Sequence, residues 1–117
     1  MRIAPHIDVD IDASAQPLLT GSTPLVLNGA LNVLREVAQR FNIPDSTVTV
    51  YRDRSYEDSI DQLVLTHDVS VSTDAAFAYW DALADAIATW TATLSAPLRE
   101  VAESRIAVAV DWPLHAG

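Results

Sequence analysis

Residues 73–94 hold the strongest pattern in the chain. Phe77, Trp80, Leu83, Ile87, Trp90 and Leu94 recur at intervals of three and four, while Asp74, Asp81 and Asp85 fall on the opposite side. This period predicts an amphipathic helix with one apolar stripe. Ser72-Thr73-Asp74 supplies its start, with a hydroxyl to cap free N–H groups and an acid where the helix dipole favours it. From Trp80 to Leu94 the stripe stays close to a seven-residue repeat, which suits packing against another helix as well as against a sheet. Either way, a second layer is required.

Sheet-forming segments flank that helix. Asp61 to Val71 alternates, with Leu63, Leu65, His67, Val69 and Val71 on one face and Gln62, Val64, Thr66, Asp68 and Ser70 on the other. Thr47 to Tyr51 is β-branched and alternating, and the charged residues 52–59 suit a hairpin loop between these two strands. Arg105 to Trp112 places Ile106, Val108, Val110 and Trp112 on one face, and Pro113 ends it. Residues Ile7 to Asp12 alternate strictly, with Asp8, Asp10 and Asp12 opposite Ile7, Val9 and Ile11. Ala13 to Ser22 reads as a loop. A first helix starts at Thr23-Pro24, runs through Leu27, Leu31, Leu34, Ala38 and Phe41, and stops before Asn42 and Pro44. Gly29 in its middle marks a place of close packing. Residues 94–104 hold room for a short extra helical turn.

The resulting order is β-α-β-β-α-β, an α+β fold. Its simplest closure is a four-stranded antiparallel sheet with two helices on one face, the ferredoxin-like arrangement, with the first and third strands central. If residues 7–11 form only an arm, the alternative is α-β-β-α-β with three strands. A single domain over 1–117 is expected, with 1–6 and 114–117 frayed.

Composition narrows the chemistry. Cysteine is absent, which removes disulfides, thiolate metal sites and a cysteine nucleophile. His6, His67 and His115 are widely spaced and show no paired metal motif. Seven arginines and no lysine point to a GC-rich bacterial gene. The formal net charge is −9, which opposes direct binding to nucleic acid or an anionic membrane and favours cationic partners. No apolar run is long enough to span a bilayer and the start of the chain is unlike a secretory leader, so a cytoplasmic location is expected.

Three groups of residues carry possible chemistry. Asp8 and Asp10, with Asp68 on a neighbouring strand, place carboxylates on the open sheet face, where oxygen ligands suit magnesium or calcium. No lysine or glycine-rich loop accompanies them to hold a phosphate. His67, among apolar neighbours, is the candidate for a general base. Trp80, Trp90 and Trp112, together with Tyr79, are candidates for a ligand pocket, and the tryptophans also for an interface. No catalytic set emerges and no cofactor is called for. The leading expectation is a non-catalytic interaction or regulatory module that dimerises or binds a basic protein partner. The alternatives are a small ferredoxin-like enzyme or ligand-binding domain with a Trp/His-lined pocket, and a divalent-metal-binding domain using the strand aspartates.

Overall fold

The computed structural model describes residues 6–53 and 62–113. Of the expected frayed ends 1–6 and 114–117 and the expected loop 52–59, residues 1–5, 114–117 and 54–59 lie outside the described residues, while the His6 N–H is held by Asp45 Oδ1 at 2.8 Å. In chain order the elements are β1 (Ile7–Ile11), a 3-10 turn (Ala13–Leu18), α1 (Thr23–Arg40), β2 (Ser46–Asp53), β3 (Gln62–Asp68), α2 (Thr73–Ala92), α3 (Ala96–Arg105) and β4 (Ile106–Asp111).

Local chemistry sets these limits. The Asp12 carboxylate accepts the Ser14 N–H at 3.0 Å and opens the 3-10 turn, and hydrogen bonding from the Ser14 side chain first, then from its N–H, lowers the Asp12 pKa. Pro24 lies in the first turn of α1. At the far end Asn42 adopts φ 53°, the Ile43 N–H reaches the Ala38 carbonyl at 3.0 Å, and the Asn42 N–H reaches that of Gln39 at 3.2 Å. This is a Schellman stop, with Ile43 as its buried apolar residue. The Ser72 hydroxyl accepts the Ala75 N–H at 3.2 Å and caps α2, as the sequence predicts.

The sheet order is β1-β2-β3-β4. β1 and β2 run parallel, β2 and β3 antiparallel, and β3 and β4 parallel. The sheet is therefore mixed, not antiparallel, and each crossover joins neighbouring strands, unlike the expected ferredoxin-like order. β1 is a full member of the sheet, so the three-stranded alternative does not apply. α1 packs beside α2 on one sheet face. Two crossovers that move the same way across a sheet, start from oppositely directed strands and lie on one face have opposite hands. One of the two is thus left-handed, contrary to the strong general preference. The expected strand order followed from making both right-handed.

The core lies between this helical layer and the inward sheet face. Val48, Val50, Leu63 and Leu65 are fully buried beneath Leu34 and Val37 of α1 and Tyr79 and Leu83 of α2. The α2 stripe is rotated from the sequence reading. Its buried residues are Ala76, Tyr79, Leu83 and Thr91, whereas Phe77 is 53 % exposed and Trp80, Ile87 and Trp90 are half-buried. Alanines on every side of α2 blur the hydrophobic contrast that would have located its face.

Candidate functional site

His67 projects inward from β3 and has no exposed surface. Its Nδ1 lies 2.8 Å from the Tyr79 hydroxyl on α2, and its Nε2 lies 2.6 Å from Ser46 Oγ on β2. A neutral imidazole has one donor and one acceptor, and two hydroxyls satisfy both. Burial lowers the His67 pKa to about 4 and raises that of Tyr79 well above its usual value. The ring is therefore neutral at pH 7, sealed from solvent and fully engaged. It joins β2, β3 and α2. The sequence reading identifies both residues but groups Tyr79 with the tryptophans, whereas the structure sets it against His67, on the buried i, i+3, i+7 line of Ala76 and Leu83.

The three tryptophans do not converge. Trp112 donates from Nε1 to Thr73 Oγ1 at 3.1 Å, and its ring meets Phe77 at 5.0 Å and Trp80 at 6.3 Å, both nearly edge-on. Trp90 lies elsewhere, over Gly29 of α1, where a Cβ would overlap its Cζ2. That contact is the close packing that Gly29 signalled.

The open sheet face is built by the other strand positions. Asp8, Thr47, Asp68 and Asp111 occupy one row across the four strands. β2 separates β1 from β3, so Asp8 and Asp68 are two strand spacings apart, roughly 9.5 Å, and not on adjacent strands as expected. The neighbour of Asp68 is Asp111. Partial burial first, then the Asp111 charge and a hydrogen bond to it, raise the Asp68 pKa. The Asp8 carboxylate meets the His6 ring at 2.6 Å. Among the described residues, no three acidic or histidine side chains gather around a point that one ion would occupy.

Asp10 and Asp53 extend the acidic margin of this face, and Asp8, Asp10, Asp53, Asp68 and Asp111 are all exposed. Between them lies a half-buried field of Thr47, Thr49, Tyr51, Val64, Thr66, Ala107 and Ala109. No arginine stands at an outward strand position among the described residues. Sequence alternation already placed most of these residues outward, but only the strand order sets Asp111 beside Asp68.

Among the described residues, no helix is long and apolar enough to cross a membrane. No protein-family model, curated protein or solved structure matches the chain.

Proposed function

We propose that this protein is a non-catalytic interaction module whose open sheet face engages a basic protein partner. One observation carries this reading: five exposed aspartates stand on that face with no cation among the outward strand positions described. A field of one sign steers an oppositely charged surface and raises its association rate ten- to a thousandfold at low salt. The centre of threonine, valine and alanine is half-buried, uncharged and mostly of small side chains, so it suits the middle of a contact with a charged rim. The same aspartates oppose face-to-face pairing of two copies, since carboxylates would meet carboxylates. The buried, fully engaged His67 supports the non-catalytic half of the reading, because no substrate reaches it.

The test is an NMR titration of the whole protein with a deca-arginine peptide. Amide shifts should gather at Thr47, Thr49, Thr66, Ala107 and Ala109, and the affinity should fall steeply as salt rises. Changing Asp8, Asp10, Asp68 and Asp111 together to Asn should remove the response. Shifts gathered instead around Asp74, Asp81 and Asp85 of α2, or an affinity indifferent to salt, would refute the sheet face as the docking surface.

A further inference from the structure

The helical layer has an outward surface of different character. α1 and α2 lie side by side and antiparallel: Phe41, just after α1, meets Tyr79 near the start of α2, while Gly29 earlier in α1 meets Trp90 late in α2. Between them runs an open groove of about 530 Å³. Val33, Ala86 and Trp90 form its apolar part, and Glu36, Arg40 and Asp85 its charged rim. Glu36, Arg40 and Asp85 are exposed, and none of them makes an ion pair among the described residues. Leu25, one turn before Gly29 on α1, is 62 % exposed and prolongs the apolar strip.

We propose that this groove is the contact between two copies of the chain. The charge pattern selects the occupant. A uniformly basic partner would meet Arg40, and a uniformly acidic one would meet Glu36 and Asp85. A second copy turned by a two-fold axis brings its Arg40 to these carboxylates and its carboxylates to Arg40, so each sign finds its opposite twice. The small Ala86 lets a facing helix approach, with Trp90 as a rigid wall beside it.

The size suits a weak, reversible pair. α1 has 18 residues and α2 has 20. Two such helices side by side offer a platform about 27 Å long and about 20 Å wide, roughly 540 Å² in projection, which is below the roughly 800 Å² per partner of a standard interface and in the range of weak, reversible pairs. Because the helices cover one sheet face only, such a dimer is back to back and leaves both acidic sheet faces outward. The inference is independent of what those faces bind.

Sedimentation equilibrium on the full chain over a wide concentration range tests it, with circular dichroism confirming the fold of each variant. The wild type should show a reversible monomer–dimer equilibrium. Arg40→Glu should raise the dimer dissociation constant at least tenfold, because carboxylates then face carboxylates. Ala86→Arg should do the same by blocking the approach. Reversing the whole rim, Arg40→Glu with Glu36→Arg and Asp85→Arg, should restore the dimer. A wild type that stays monomeric throughout, a dimer that survives both Arg40→Glu and Ala86→Arg, or a reversed rim that fails to recover would each overturn the proposal.

Discussion

The Tyr79 hydroxyl lies 2.8 Å from His67 Nδ1 and ties α2 to the centre of the sheet. Both residues are fully buried, so no water replaces this hydrogen bond when one partner is removed. Tyr79→Phe keeps the ring and its contact with Phe41 but leaves the imidazole nitrogen unpaired. The expected loss is about 1–3 kcal/mol, the cost of a buried polar atom without a partner. Urea unfolding at neutral pH measures it. A loss within error would mean that the histidine finds another partner.

The same histidine makes stability depend on pH. Its pKa is about 4 when folded and near 6.5 when unfolded. Between these values the unfolded chain binds the additional proton. The contribution of the neutral core ring is thus complete above pH 6.5 and is lost as pH falls toward 4. At about 1.4 kcal/mol per pH unit, the whole window spans on the order of 3 kcal/mol. The His67 ring protons should show no titration until the pH approaches 4, and His67→Gln should flatten the stability curve between pH 6.5 and 4. Ring protons that titrate near pH 6.5 would contradict the burial of this group.

Local features of the fold were legible because their causes are local. Ser72 caps α2, Asn42 takes the left-handed turn that stops α1, and Gly29 marks a close contact. The strand segments also read correctly, since alternation is a property of neighbouring residues. The strand order did not. It depends on one crossover being left-handed, and no short-range pattern in residues 7–53 or 62–113 encodes that. The candidate site inherited the gap: Asp8 and Asp68 appeared to be neighbours, whereas Asp68 stands beside Asp111 and is separated from Asp8 by Thr47. The register of α2 was missed for a different reason. Tyr79 carries a polar tip that hides its place in the core until His67 is set opposite it.

Gly29 tests the contact between α1 and α2. In the middle of an exposed helix, Gly→Ala stabilises by up to about 1 kcal/mol. Here the added methyl would overlap the Trp90 ring, which must shift. Gly29→Ala should therefore lose that gain and destabilise by about 1–3 kcal/mol, the usual cost of overpacking. A thermal melt together with the Trp90 indole N–H resonance reads both effects. A higher melting temperature with an unmoved indole signal would show that Trp90 does not press on Gly29.

Asp68 and Asp111 separate stability from binding. They occupy facing positions on β3 and β4, and the Asp68 pKa is raised by partial burial and by the charge of its neighbour. A raised carboxylate pKa means that the ionised form is disfavoured in the folded state, so the pair opposes folding at neutral pH and the strain eases as acid protonates Asp68. Asp68→Asn removes one charge and keeps a side chain able to hydrogen-bond to Asp111. It should stabilise the protein at pH 7 by roughly 0.2–1 kcal/mol, the scale of a like-charged cross-strand contact, with a smaller gain at pH 4. The same substitution removes a charge from the face proposed to meet a basic partner, and should weaken deca-arginine binding while the melting temperature rises. Stability gained together with affinity lost indicates a carboxylate placed for an external cation. Stability gained with affinity unchanged would leave the acid pair as surface repulsion alone and would remove Asp68 from the docking surface.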